Sequence, residues 1–291
     1  MKRESSGAER PPMNKRLGVM SDVNAYDLVD LWNVVLEYQT TCFGPEELRV
    51  LEEWGFAQTP HGVLDAGCGN GDYGRFLAAR FPSTTFLGVE ANQAFIDEFD
   101  KRLASGLQEN YRIAQCDLGS DPFPEAFRGR FDQCLLRLVL QHVPTPISVL
   151  RYLHRELPQD GKIFVIEEDD GFFNIYPECK AYSEVVALWK TVCERAGSVR
   201  YIGREIPDLL TRAGFTVKRV KVLLHTNFEV GEVLLDYLVA TAKMLQLTNP
   251  DVLEASEPER LAKEFRRYLD KHGSSWFAVY PQVITMAEKN G

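Results

Sequence analysis

The stretch VLDAGCGNGDYG, residues 63–74, starts as an apolar run and then places glycines at alternate positions, Gly67, Gly69 and Gly71. A strand, a glycine turn and a helix start in this order expose backbone N–H groups to a bound ligand. In dinucleotide enzymes a pyrophosphate binds there, but the third glycine of that fingerprint is Asp72 here. A carboxylate would repel a diphosphate. The pattern therefore favours a cofactor that carries a positive charge and a ribose but no phosphate.

Two further acids stand where predicted strands end. Glu90 closes the run FLGVE, and a carboxylate at this place can accept hydrogen bonds from both hydroxyls of a ribose. Asp117 follows the next run, where it can accept from an exocyclic adenine amine while the Leu118 N–H meets the ring. Successive strand ends thus offer the parts of an adenosine site.

These residues need a parallel sheet to bring them together, and the apolar periodicity predicts one. It alternates between about two and about 3.6 residues, as expected for strands alternating with helices. Strands are predicted at 62–66, 84–89, 111–116, 131–136, 161–167 and 215–226. Helices are predicted at 71–80, 93–104 and 144–157. Helices between successive strands indicate right-handed crossovers and an α/β fold with a mostly parallel sheet.

The segment 63–74, Glu90, Asp117 and the run FDQCLLRLVLQHVPTPISVLRYLHRELPQDGKIFVIEE together resemble the class I S-adenosylmethionine-dependent methyltransferases of the small-molecule type. The resemblance covers residues 60–170 and, less closely, 200–226. It implies a three-layer Rossmann-like fold with a mostly parallel seven-stranded sheet and an antiparallel last strand at 276–287. One departure is PQDGK at 158–162, where relatives often have Pro-Gly-Gly, and Asp160 suits that turn.

The resemblance also implies a cofactor, S-adenosyl-L-methionine, with S-adenosyl-L-homocysteine as product. The glycines would line its methionine part, Glu90 its ribose, and Asp117 with Leu118 its adenine, while the turn at Arg137 and Leu138 would contact the methionine amino end. The predicted cofactor-binding set is Asp65, Gly67, Gly69, Asn70, Gly71, Glu90, Ala91, Asp117, Leu118, Arg137 and Leu138. Because a sulfonium carries its own leaving group, the enzyme must chiefly align the acceptor and exclude water.

The pattern of residues and the resemblance together divide the chain into five parts. We expect a disordered tail at 1–20, a helical lid at 21–58, the cofactor-binding core at 59–228, a helical insertion over the acceptor site at 229–273 and the last strand at 274–291. Within the lid, Pro45 is typical of a first helical position, so a second helix is predicted to begin there. Two amphipathic helices are predicted in the insertion.

Catalytic residues are harder to assign, because a general base is needed only if the acceptor must lose a proton. His142 is one candidate base, although a histidine at a helix start also often contacts backbone. Glu168 and Asp169 lie in the acidic run 167–170, which either attracts a cationic amine or forms a solvated loop with one capping acid. Arg137 either binds a substrate carboxylate or pairs with a nearby acid. The acidic run favours an amine nitrogen as acceptor, with a hydroxyl or an enolisable carbon as alternatives.

Substrate contacts are predicted from the lid and from the end of the fourth strand. An aromatic stripe at helical spacing is usually core, and we expect Trp32 to be so. Polar groups join the end of the stripe at Tyr38 through Thr40, so either a role in the site or plain packing is expected there. The predicted substrate-binding residues are Tyr26, Tyr38, Gln39, Arg137 and Gln141.

Composition sets the remaining bounds. The net charge of −9 disfavours a nucleic-acid or anionic-membrane partner, and 45% apolar residues suffice for a large core. Six separated cysteines without a Cys-x-x-Cys pair suggest reduced thiols and a cytoplasmic location, and no metal site is indicated. We therefore predict a cytoplasmic enzyme with a small-molecule acceptor, which could form a homodimer. A cofactor-binding protein without activity remains an alternative, and a nicotinamide oxidoreductase is disfavoured by Asp72.

Overall fold

A computed structural model describes residues 22–25, 27–59, 61–103, 109–195, 197 and 199–290. The predicted tail at 1–20 lies outside the described residues. The strands are β1 (Val63–Ala66), β2 (Phe86–Glu90), β3 (Tyr111–Gln115), β4 (Gln133–Arg137), β5 (Lys162–Glu168), β6 (Asn174–Tyr176), β7 (Phe215–Thr226) and β8 (Phe277–Lys289). The helices are α1 (Leu28–Glu53), α2 (Asp72–Arg80), α3 (Gln93–Leu103), α4 (Pro146–Glu156), α5 (Lys180–Arg195), α6 (Ile202–Ala213), α7 (Asn227–Val230), α8 (Val233–Thr248) and α9 (Glu257–His272).

The strands form one mixed sheet in the order β3-β2-β1-β4-β5-β8-β6, and β7 pairs with the other side of β8. The first five strands run parallel, and β8 is antiparallel to β5, β6 and β7. The predicted α/β class, parallel core and antiparallel last strand are confirmed. Within the described residues the sheet has eight strands rather than seven, because the short β6 pairs with the first residues of β8.

Alternate residues of the parallel strands pack against opposite helical layers, which explains why these strands are apolar throughout. Leu136 and Val165 lie in one core cluster with residues of α4 and α6. Leu135 and Phe164 lie in the other, with residues of α1 and α2. The sheet is therefore covered on both faces, and its carboxyl edge is the place left for a ligand.

The predicted break in the lid at Pro45 is wrong, because α1 continues through this residue from Leu28 to Glu53. Proline removes the N–H that would bond to the Thr41 carbonyl, but both halves of the helix are held by buried apolar side chains. Leu31 and Val35 pack in one cluster, and Val50 packs in another. Tertiary packing therefore outweighs the loss of one helical hydrogen bond.

The insertion contains one helix of the predicted kind and one that differs. In α9 one face is buried, by Leu261, Phe265 and Tyr268, so this helix is amphipathic. The helix α8 is buried along almost its whole length, so the prediction of an amphipathic helix is wrong there. The cause is packing, because residues of α1, α5 and α9 share a single core cluster with α8. Among the described residues, no helix is both long and apolar enough to cross a membrane.

Candidate functional site

A cavity of about 520 Å³ opens at the carboxyl ends of β1, β2 and β4. Most of the predicted cofactor residues line it, so the structure brings together side chains that are far apart in sequence. The lining includes Asp65, Gly67, Gly69, Asn70, Glu90, Ala91, Asp117, Leu118, Arg137 and Leu138 from the predicted cofactor set, and Gln39 and His142 from the acceptor side. Gly71 is not among the lining residues.

The glycine turn needs glycine for reasons of its own conformation and packing. Gly67, Gly69 and Gly71 all have positive φ, at 75°, 58° and 77°. A Cβ on Gly71 would lie 2.6 Å from a ring carbon of Phe99, and one on Gly67 would lie 2.7 Å from a methyl of Val139. The sequence predicts that a ligand leaves no room for side chains at this turn. The structure adds a second cause, because core side chains already fill the space that a Cβ would need.

Glu90 ties the second strand to this turn. One carboxylate oxygen accepts from the Gly69 N–H at 2.9 Å, and the other accepts from the Asn92 N–H at 2.9 Å. The side chain also lines the cavity. Each oxygen retains further lone pairs that can meet a ligand hydroxyl.

Asp65, at the end of β1, is buried and accepts a hydrogen bond from the Tyr111 hydroxyl at 2.9 Å. Burial raises the pKa of Asp65 to about 6, and the Tyr111 bond opposes that rise. Sequence reasoning missed Tyr111. The strand pattern gave no signal for it, because Tyr111 pairs with Phe86 at the start of β2 and only its side chain reaches the glycine turn.

Trp32 packs against a core cluster, as expected, and it also lines the cavity. Its ring lies 5.9 Å from that of Phe95 and 6.3 Å from that of His142, edge-on to both. Phe95 belongs to α3 and His142 follows β4, so the indole spans the cavity from one wall to the other. This position suits a side chain that covers a bound adenosine.

Arg137, at the end of β4, pairs with an acid, which was one of the two alternatives. Its Nε donates to Glu47 Oε2 at 2.7 Å, and its Nη2 donates to Glu47 Oε1 at 3.0 Å and to the Gln39 carbonyl at 2.9 Å. The guanidinium also stacks on Tyr73 at 4.0 Å. Sequence reasoning missed Glu47, which lies on α1, 90 residues away.

His142 lines the cavity beside Trp32. His142 is exposed to the cavity, while desolvation by the neighbouring protein and the Arg200 charge lower the pKa of its imidazole to about 4. The imidazole is therefore neutral at pH 7 and can accept a proton. Its role as a general base stays a prediction.

Glu168 and Asp169, the other two predicted catalytic residues, do not line this cavity. Both side chains are almost fully buried, so the alternative of a solvated loop is wrong. Glu168 pairs with Arg200 and accepts from the Tyr280 hydroxyl, while Asp169 pairs with Arg204 and caps the turn at Gly171. The acids are thus matched by arginines that sequence reasoning did not assign to them. The only sequence signal was the spacing of arginines in SVRYIGRE.

Asp170 completes this buried network. Its two oxygens accept from Arg200 at 2.8 Å each, and Arg200 also donates to Gln141 and stacks 4.6 Å from Trp189. Burial raises the pKa of Glu168 and of Asp170, while the Arg200 charge opposes this rise. The cluster joins β5 to the segment before α6.

Glu167 differs from its three acidic neighbours because its contacts are to backbone. One oxygen accepts from the N–H groups of Val139 and Leu140, at 2.9 and 2.6 Å. Full burial raises its pKa to about 8, against those two bonds, so the carboxyl is largely protonated at pH 7. It holds the short helix 140–142 under the cavity.

A Glu167→Gln variant should lose part of the pH dependence of folding. The pKa of this carboxyl is raised from 4.5 to about 8, so the stabilisation it gives is complete below about pH 4.5 and is lost as pH rises towards 8. Between those limits wild-type unfolding free energy should fall by up to about 1.4 kcal/mol per pH unit more than that of the variant. Urea unfolding at several pH values measures this. Glu194→Gln, on an exposed part of α5, is the control, and parallel curves for wild type and Glu167→Gln would contradict the prediction.

The other predicted substrate residues are placed differently from one another. Gln39 lines the cavity and donates to the Tyr237 hydroxyl at 3.3 Å. Tyr38 is buried behind the cavity wall, stacked 5.4 Å from Tyr237. Gln141 is buried and accepts from Arg200. Tyr26 lies outside the described residues.

Comparison with known proteins agrees with this geometry. Residues 64–163 match the family model described as a methyltransferase domain. Residues 64–163 therefore form a methyltransferase domain. It is 33% identical over 104 residues to a ubiquinone biosynthesis O-methyltransferase of Pseudomonas paraeruginosa, a match over 35% of this chain and 42% of that protein. It is 32% identical over 128 residues to a demethylmenaquinone methyltransferase of Lactobacillus johnsonii, over 40% of this chain and 51% of that protein.

The chain thus spans about half the length of the curated relatives that it matches. Among solved structures, phosphoethanolamine N-methyltransferase 2 of Haemonchus contortus, in complex with phosphomonomethylethanolamine and S-adenosylhomocysteine, superposes with a TM-score of 0.56. That match has 16% sequence identity and covers 91% of this chain and 61% of that one. At this identity the likeness supports the methyltransferase fold and leaves the acceptor to be argued from the site.

Proposed function

We propose that this methyltransferase transfers the methyl group of S-adenosylmethionine to a small molecule bound in the same cavity as the methyl donor. The observation that carries the proposal is the continuous cavity from the glycine turn past Glu90 to Asp117. Its order of groups matches the parts of the cofactor, with Glu90 beside the ribose and Asp117 beside the adenine. Two curated methyltransferases are similar to part of the chain.

The bound cofactor supplies an activated methyl group and its leaving group, so the side chains mainly hold and shield the reactants. The backbone of the glycine turn and Glu90 hold the ribose and methionine parts. Trp32 closes the cavity between Phe95 and His142, which keeps water away from the sulfonium. Alignment of this kind can contribute about 7–11 kcal/mol to the lowering of the barrier.

A hydroxyl or an enolisable carbon is the acceptor that we now prefer to an amine. The preference for an amine depended on the acidic run 167–170, whose carboxylates are buried and held by Arg200, Arg204 and backbone rather than facing the cavity. His142 faces the cavity and its imidazole is neutral at pH 7, so it is the candidate base for the proton that such an acceptor loses, although its lowered pKa makes it a weak base. The named activities of the quinone-pathway relatives agree with this choice.

Two measurements test the function. Calorimetric titration with S-adenosylhomocysteine should show one site per chain, and methyl-labelled S-adenosylmethionine should label a hydroquinone or catechol in preference to a primary amine. If the protein does not bind S-adenosylhomocysteine, the proposed cofactor is wrong. Preferential labelling of the amine would overturn the acceptor class. Binding without transfer to either class would favour a cofactor-binding protein without activity.

A further inference from the structure

The guanidinium of Arg137 is held on one edge and open on the other. Its Nε and Nη2 bond to the two oxygens of Glu47 and to the Gln39 carbonyl. Its Nη1 has no hydrogen-bond partner among the described residues, although only 6% of the side chain is exposed. Because Arg137 lines the cavity, Nη1 is the nitrogen that remains to meet a ligand there.

Glu47 is itself held from the far side. It is fully buried, and Oε1 also accepts from Gln282 Nε2 on β8 at 2.8 Å. The other atom of that amide, Gln282 Oε1, lies 2.8 Å from His225 Nε2 on β7. Neither Glu47 nor Gln282 lines the cavity. A chain of side chains from the antiparallel strands therefore fixes the angle at which Arg137 faces the cavity.

The charges of the cavity indicate what Nη1 meets. Its described lining contains four carboxylates, Asp65, Asp72, Glu90 and Asp117, and Arg137 is the one permanently charged cation in it. The four acids attract the sulfonium and the ammonium of a ligand such as S-adenosylmethionine. They repel its carboxylate. That carboxylate needs a fixed cation with free N–H donors, and Arg137 is where the lining offers one.

We propose that Glu47, supported by Gln282, is a positioning residue that turns Nη1 of Arg137 towards the amino-acid carboxylate of the methyl donor. This inference rests on the proposed cofactor. Glu47 touches no reactant and acts only through Arg137. Its two-point bond prevents rotation of the guanidinium, so the donor's amino-acid end, and with it the sulfonium, is held in one place.

Substitutions at Glu47 can separate position from charge. Glu47→Gln keeps the shape of the side chain but sets an amide N–H against a guanidinium N–H, which removes one of the two bonds. Glu47→Asp keeps the charge, so the buried pair survives, but withdraws the carboxylate by one methylene. Arg137→Lys keeps the cation and lacks Nη1. All three should misplace or remove the contact with a carboxylate.

The experiment compares two ligands that differ in the amino-acid part. S-adenosylhomocysteine has the carboxylate, whereas 5′-methylthioadenosine has the same nucleoside and thioether without it. Arg137→Lys and Glu47→Gln should lower the affinity for S-adenosylhomocysteine about 10- to 100-fold, and Glu47→Asp should lower it somewhat less. Binding of 5′-methylthioadenosine should change by less than about threefold, since its contacts lie at Glu90 and Asp117. Calorimetry measures both ligands.

Glu46→Gln is the matched control, because the side chain of this neighbouring glutamate is 44% exposed and pairs, within the part of the chain that the structure describes, with Arg49 on the same helix. Retained 5′-methylthioadenosine binding shows that a variant has folded, and Glu47→Asp decides the matter if Glu47→Gln does not fold. The inference is wrong if the Glu47 variants lose affinity for both ligands equally, or if they lose affinity for neither. Failure of the wild type to bind either ligand would instead overturn the proposed cofactor.

Discussion

Replacing Glu90 with alanine should weaken the binding of S-adenosylhomocysteine about 10- to 150-fold. The loss corresponds to about 1.5–3 kcal/mol, the usual contribution of hydrogen bonds to a charged group. Two effects act together, because the carboxylate is placed to accept from the ribose and also accepts from the Gly69 N–H of the glycine turn. Calorimetric titration of wild type and variant measures the change.

A Glu90→Gln variant helps to separate those effects. The amide keeps one accepting oxygen for the turn but presents N–H groups in place of the second oxygen, so an intermediate loss is expected. Glu125→Ala serves as control, since this glutamate is exposed and lies outside the cavity lining. Unchanged affinity in Glu90→Ala would exclude a ribose contact at Glu90.

Replacing Arg200 with methionine should produce the largest loss of stability, about 3–5 kcal/mol of unfolding free energy. The variant leaves Glu168 and Asp170 buried without their cation. Protonation of these acids relieves the repulsion, so the difference from wild type should shrink as the pH is lowered towards 5. Urea unfolding monitored by circular dichroism at two pH values measures both effects.

Arg212→Met is the matched control, because Arg212 forms an exposed pair with Asp208 on α6. Exposed pairs of this kind contribute about 0–1 kcal/mol. Adding Glu168→Gln and Asp170→Asn to Arg200→Met should restore much of the lost stability, since the amides carry no charge. If Arg200→Met loses as little unfolding free energy as the control, then buried Glu168 and Asp170 do not need the Arg200 charge.

The meeting of the glycine turn, Glu90 and Asp117 in one cavity could be predicted from sequence because its determinants are local. A glycine turn is visible as consecutive letters, and parallel strands end at one edge of a sheet, so Glu90 and Asp117 follow from the strand pattern. The fold class followed in the same way, from the alternation of two periods. Local conformation and strand ends are properties that a short stretch of chain carries by itself.

Side-chain pairing could not be predicted, because it depends on residues that meet only after folding. Glu47 and Arg137 are 90 residues apart, and Glu168 and Tyr280 are 112 apart. An acidic run such as 167–170 is compatible with either solvent or buried arginines, and Arg200 decides between them. The interaction of two charges depends on distance and burial, so residue type alone leaves it open.

The sequence by itself determined that this chain builds a parallel sheet with a glycine turn, Glu90 and Asp117 at one edge, because backbone geometry and strand ends are encoded locally. Only the tertiary structure decided that α1 runs unbroken through Pro45, that α8 is buried, and which buried charges are paired. Burial and the cancelling of charges depend on every neighbour that packs against a group, and those neighbours come from distant parts of the chain.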